Sequence, residues 1–266
     1  MSNSKRYSSA LILIAVVILI LEKGGITGLY IALLVVSILS LLELREILAK
    51  SNLPLPRIPL IVFGLGAFYY LSIVKERNLL FFLFLLAVSI VVLIFRMSVL
   101  SQKNTFLAKL FVFMFSILFI SLPFACLIAI RKSEGGLAYL YLVFMGTWAS
   151  DSGAYIVGKQ WGKRKMSPQI SPNKTYEGLA GGIFLTIVVF IIWHFFSGIS
   201  LGWAVLLGII ISLSATAGDL MESFLKRQAE VKDSGSLIPG HGGILDRIDA
   251  LLFTLPIWYI CTKFFL

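Results

Sequence analysis

The chain has 266 residues, 59% of them hydrophobic and 14% charged, with a formal net charge of +10 and a mean hydropathy of +0.96. That much apolar surface exceeds what one soluble domain encloses, so lipid must solvate much of it and an ordinary soluble enzyme is excluded. The two cysteines, Cys126 and Cys261, lie inside apolar runs and read as small buried hydrophobes, which excludes a disulfide framework.

Apolar runs of about 20 residues, the length that crosses a hydrocarbon core, fall near 9–22, 25–42, 58–74, 79–97, 110–130, 137–157, 177–196, 202–217 and 247–262. They predict an all-α polytopic membrane protein with about nine transmembrane helices. The first run follows Lys5 and Arg6 as a signal peptide would, but no small-x-small cleavage site precedes Glu22 and Lys23, so a retained span is expected. Pro123 is expected to kink the fifth span. An odd number of spans puts the termini on opposite sides. Of the 23 basic residues only Lys23, Lys75, Arg77, Arg131, Lys132 and Lys263 fall on the side away from the N-terminus. This asymmetry predicts a cytoplasmic N-terminus, with the polar loops on the same side. The net positive charge follows from the same topology and from attraction to anionic membrane lipids; no nucleic-acid-binding module is present.

The acids are less evenly spread. All five aspartates, Asp151, Asp219, Asp233, Asp246 and Asp249, fall in the second half, each at the cytoplasmic end of a predicted helix or in a cytoplasmic loop. The chain is therefore expected to divide into N-terminal scaffold helices, 1–130, and a catalytic region with cytoplasmic polar loops, 131–266. In the scaffold the acids are Glu22, Glu43, Glu46 and Glu76, all near predicted span ends.

Three cytoplasmic elements are candidates to converge. Asp151, in the run Trp148 to Tyr155 at the end of the sixth predicted span, is an ionisable group at the membrane boundary and hence a functional candidate; a helix cap or a pair with Lys159 is the structural alternative. The run Ser171-Pro-Asn173-Lys174-Thr175-Tyr-Glu177-Gly178 opens the seventh span. Thr175 or Ser171 suits a helix cap, while Lys174 beside a helix N-terminus suits a phosphate, because ammonium and free N–H groups favour the same anion. His194, in the seventh span itself, reads as an interfacial polar residue. The third element runs from Asp219 to Asp249. Asp219 and Glu222 share one helical face, as do Asp246 and Asp249. Carboxylates on two helix ends offer the hard oxygen ligands magnesium prefers, with positions left for water and substrate phosphates. Lysines between them suit a polyphosphate, and the glycines around His241 let backbone approach a ligand. For His241, loop-stabilising hydrogen bonding and direct catalysis are both open.

The run Ser223-Phe-Leu-Lys226-Arg227, four residues, Lys232-Asp233-Ser-Gly235, then Ile238-Pro239-Gly-His241-Gly242-Gly243-Ile-Leu-Asp246-Arg247-Ile-Asp249 resembles the signature of the integral-membrane phosphatidate cytidylyltransferases, or CDP-diacylglycerol synthases. The segment around Asn173 to Thr175 and the aspartate at 151 are similar to two further elements of that family. The resemblance spans about the last 120 residues at motif level. It implies condensation of CTP with phosphatidic acid to CDP-diacylglycerol and pyrophosphate, with Mg2+. It also implies a homodimer in the inner (plasma) membrane with the active site facing the cytoplasm. On this reading Asp219, Asp246 and Asp249 bind metal, and Lys226, Asp246, Asp249 and His241 are catalytic. Asn173, Lys174, Thr175, Arg227, Lys232, Arg247 and Asp151 bind substrate. A CTP-dependent lipid kinase would use the same metal and lysines and is the nearest alternative. A transporter fits less well, because the polar residues gather at one surface rather than the midplane. A CDP-alcohol phosphotransferase lacks its DG-x-x-AR sequence here.

Overall fold

The computed structural model describes residues 14–74, 79–83, 85–90, 106–237 and 242–264. His241, the first residues of the first predicted span and the end of the fourth lie outside them. We label the helices α1 (Gly25–Lys50), α2 (Arg57–Ile73), α3 (Phe106–Lys132), α4 (Gly136–Trp161), α5 (Tyr176–Ser197), α6 (Leu201–Gln228) and α7 (Leu245–Phe264), with strands β1 (Lys165–Ser167) and β2 (Ser171–Thr175) between α4 and α5. Residues 14–23 and most of 79–90 are also helical. Among the described residues four helices are long and apolar enough to cross a membrane: α1, the Lys109–Lys132 part of α3, α5 and α6. The 26-residue α4 and 20-residue α7 have spanning length, but polar residues dilute them. α3 runs unbroken past Pro123.

The chain forms two compact units, Met1–Ile128 with Gln228–Arg247, and Ala129–Arg227 with Ile248–Leu266. In the first, α1 packs on α2 through buried Leu41, Leu44, Leu48, Leu60 and Phe68. Polar side chains add hydrogen bonds to this packing, while the buried Ser37 and Ser40 hydroxyls of α1 make none among the described residues. The Tyr30 hydroxyl donates to Ser72 Oγ at 2.6 Å, and Ser121 on α3 donates to the Gly64 carbonyl at 2.8 Å. The Arg45 Nε donates to the Leu55 carbonyl at 2.8 Å, closing the turn between α1 and α2.

In the second unit small residues let α4 and α5 approach closely, as they do where lipid supplies no hydrophobic drive. A Cβ at Gly153 would overlap the Gly181 carbonyl oxygen. Gly153→Val is therefore expected to force these helices apart and to cost about 1–3 kcal/mol, seen as a lower thermal midpoint of the detergent-solubilised protein. On α6, Ser212 Oγ lies 2.8 Å from Ser150 Oγ of α4. On α7, Trp258 is fully buried, packs edge-on against Phe190 and donates to the Tyr139 carbonyl at 2.9 Å. His194 is satisfied locally, its Nδ1 2.5 Å from the Ile199 carbonyl, in keeping with an interfacial polar role. β1 and β2 pair antiparallel, with Lys165 opposite Thr175 and Ser167 opposite Ser171.

Candidate active site

The second unit holds a cavity of about 300 Å3. One wall is α4, with Ser150, Asp151 and Tyr155; another is β2, with Ser171, Asn173, Lys174 and Thr175; Gly178 of α5 and Thr216 and Asp219 of α6 complete it. Two of the three elements singled out from sequence thus meet here with Asp219. Met166 and Thr216 line the cavity too, and nothing in their sequence context marked them.

Local hydrogen bonding explains why β2 presents these side chains. Thr175 is the N-cap of α5, in extended conformation, and its hydroxyl accepts from the Gly178 N–H at 3.1 Å. The cap reading of Thr175 is therefore correct as far as local structure goes. Two residues on, Glu177 accepts from the Lys163 N–H at 3.0 Å and the Arg164 N–H at 3.1 Å, which ties the start of the hairpin to the first turn of α5. At the other side the Arg227 Nε donates to the Ile170 carbonyl at 3.1 Å, anchoring the hairpin tip to the end of α6. The hairpin is thereby fastened at both ends, with Lys174 between them.

Lys174 Nζ lies 2.7 Å from Asp219 Oδ2, the two side chains 20% and 36% exposed, and Ser223 Oγ lies 3.4 Å from Asp219 Oδ1. One turn further along α6, Lys226 pairs with Glu222 at 2.5 Å, with side-chain exposures of 11% and 1%. Asp249, at the start of α7, accepts from the Ala250 N–H at 2.7 Å. The charges of Asp219, Asp151 and Lys226 all act on it. Four carboxylates, Asp151, Asp219, Glu222 and Asp249, and two lysines therefore share one small region. Like charges this close repel strongly in a low-dielectric setting unless a cation intervenes. Among the described residues no three acidic, histidine or cysteine side chains converge at metal-ligand distance. A magnesium ion that takes one or two carboxylates and completes its shell with water and phosphate oxygens suits this donor set.

Both ends of the Asp219 to Asp249 element are helical. Ser223–Gln228 are the last turns of α6, and Leu245 onward is α7. This places Lys226 and Arg227 on helix and leaves Lys232 and Asp233 exposed in the connection. In the first unit, Asp246 Oδ2 accepts from the Ser234 N–H at 2.9 Å, the Ser234 hydroxyl at 3.0 Å and the Gly243 N–H at 2.8 Å. Gly242 sits at φ +77°, and a Cβ there would overlap Asp246 Oδ2, so both backbone conformation and space demand glycine. Arg247 is exposed.

A family model described as the cytidylyltransferase family matches residues 4–265. The chain is similar to the phosphatidate cytidylyltransferase of Staphylococcus aureus (strain COL), with 34% identity over 264 residues that cover 95% of this chain and 96% of that protein. Similarity to the Staphylococcus haemolyticus (strain JCSC1435) protein of the same description is 36% over 264 residues, again 95% and 96%. With the phosphatidate cytidylyltransferase of Bacillus subtilis (strain 168) it is 46% over 151 residues, 56% of each chain.

Proposed function

Because this chain belongs to the cytidylyltransferase family, we propose that its cavity beside α4, β2 and α6 is where CMP passes from CTP to phosphatidic acid. The protein is a phosphatidate cytidylyltransferase, a membrane nucleotidyltransferase of phospholipid biosynthesis whose products are CDP-diacylglycerol and pyrophosphate. The observation that carries the reading is the meeting of Lys174 and Asp219 at 2.7 Å in a cavity also lined by Asp151 and Asn173.

A phosphate oxygen of the lipid forms the new bond to the α-phosphorus of CTP as the bond to the β-phosphate breaks, and pyrophosphate leaves with the bonding electrons. No protein nucleophile is needed, so the residues contribute position and charge. Asp219 and Asp249 would hold magnesium, which when bound neutralises phosphate charge and polarises the reacting phosphoryl group. The resemblance adds to that set Asp246, at the start of α7, where the backbone of the preceding connection donates to its Oδ2. Lys174 would trade its partner Asp219 for a substrate phosphate. Lys226, paired with Glu222, supplies a second positive charge near Asp249. Asn173 and the Thr175 region form the β2 wall against which substrate rests. Lys232, Arg227 and Arg247 are basic contacts for the polyphosphate or the lipid phosphate, and His241 belongs to the same polar segment.

The same reading sets the N-terminus, the hairpin and the α6–α7 connection on the cytoplasmic face of the inner membrane, since most basic residues fall there. A site at that boundary receives a soluble nucleotide from one side and a lipid from the other. The protein is taken to act as a homodimer, as the family resemblance implies.

The test is an assay of purified protein in detergent with phosphatidic acid, magnesium and CTP labelled at the α-phosphate. Label is expected in a CDP-lipid, with one pyrophosphate released per turnover. Unlabelled lipid product with CDP released would instead mean γ-phosphoryl transfer by a lipid kinase, and no turnover would sink the reading.

A further inference from the structure

A carboxylate far from the polar segment in sequence is committed to it in space. Glu43, on α1, is 4% exposed. Its Oε1 accepts from the Ile244 N–H at 2.9 Å; its Oε2 accepts from the Leu245 N–H at 2.8 Å and from the Ser234 hydroxyl at 2.8 Å. Among the described residues no lysine or arginine forms an ion pair with it. Burying a charge this way is expensive unless every oxygen is satisfied, and here the donors come from the α6–α7 connection and the first residue of α7. We propose that Glu43 is a positioning residue for the transfer reaction, holding the start of α7 and, through Ser234, the carboxylate of Asp246.

The first N–H groups of a helix have no partner within the helix and need one from outside. At α7 four consecutive N–H groups are all accounted for. Gly243 donates to Asp246, Ile244 and Leu245 donate to Glu43, and Asp246 donates to Ser234 Oγ at 3.3 Å. A negative charge at this end is further favoured by the helix dipole. Ser234 is the link. Its single hydroxyl proton faces both Glu43 Oε2 at 2.8 Å and Asp246 Oδ2 at 3.0 Å, so moving either carboxylate moves the hydroxyl that the other one meets. Gly243 leaves the room this needs, since a Cβ there would overlap both the Glu43 carboxylate and Ser234 Oγ. Glu43 is not among the residues that line the cavity; it acts through Asp246 and through the helix that also carries Asp249. The proposal rests on the cytidylyltransferase reading given above.

The test compares wild type with Glu43→Gln, Glu43→Asp and Ser234→Ala in purified full-length protein. It reads kcat and the KM for phosphatidic acid in the labelled-CTP assay, together with hydrogen–deuterium exchange of the backbone around 234–246. Glutamine keeps the size but sets an NH2 against a backbone or hydroxyl donor, so Glu43→Gln is expected to lower kcat about 10- to 100-fold. The KM is expected to be little changed and exchange at 243–246 faster. Aspartate, which keeps the charge, recovers part of the loss. Ser234→Ala, a small change that should fold even where Glu43→Gln does not, shifts kcat and exchange in the same direction. Normal kcat in both Glu43→Gln and Ser234→Ala, or in Ser234→Ala alone if Glu43→Gln fails to fold, overturns the proposal even where the thermal midpoint falls. A wild type that makes no CDP-lipid removes the underlying reading instead, and the two failures are distinct.

Discussion

Asparagine in place of Asp249 is expected to slow CDP-diacylglycerol formation on the order of 1000-fold, with a similar loss for Asp219→Asn. The substitution preserves shape and removes one charge from a region where Asp219, Asp151 and Lys226 act on Asp249 and Lys174 pairs with Asp219. If these carboxylates hold a magnesium ion against substrate phosphates, charge is what the reaction loses. Stability should move the other way. Without magnesium the carboxylates repel one another, so the thermal midpoint of Asp249→Asn is expected to hold or rise in metal-free buffer. Activity and melting of the same preparations, with and without magnesium, check both halves. A rate within about threefold of wild type, with magnesium dependence retained, would remove Asp249 from the site.

The second large effect concerns Lys226 and Glu222. Both side chains are nearly excluded from solvent, at 11% and 1% exposure. Removing one partner of a buried ion pair leaves the other charge uncompensated, at about 3–5 kcal/mol. Lys226→Met is expected to lower the thermal midpoint sharply. The double variant Glu222→Gln/Lys226→Met is expected to recover most of that stability, because neither charge then remains buried. Activity should not return with it, since the Lys226 charge that acts on Asp249 is still missing. A double variant as unstable as the single one would show that the pair is not the source of the loss.

These expectations draw on features of unequal visibility in the sequence. Apolar runs located the helices because lipid demands apolar side chains over about 20 residues, yet they misjudged helix ends. The run at 202–217 belongs to a helix that continues to Gln228, and the run at 25–42 to one that reaches Lys50. Hydropathy reports only the portion that lipid solvates, whereas backbone hydrogen bonding carries a helix on into its polar end. The β1–β2 hairpin is too short and polar to leave a periodic signal, although the Thr175 cap next to it was readable from residue type and position.

By itself the sequence determined that this is a membrane protein of helices, that its aspartates all fall in the second half, and that the Asp219 to Asp249 segment resembles a cytidylyltransferase signature. Those properties are local: composition, spacing and the chemistry of neighbouring residues. Only the tertiary structure decided which of these groups meet. Lys174 finds Asp219 across 45 residues of chain, and Glu43 finds Ser234 and Leu245 across 191 and 202. In a single chain read alone, such pairs carry no pattern. They exist because each buried charge and each orphaned helix-end N–H must be satisfied by whatever the packing of distant helices brings beside it.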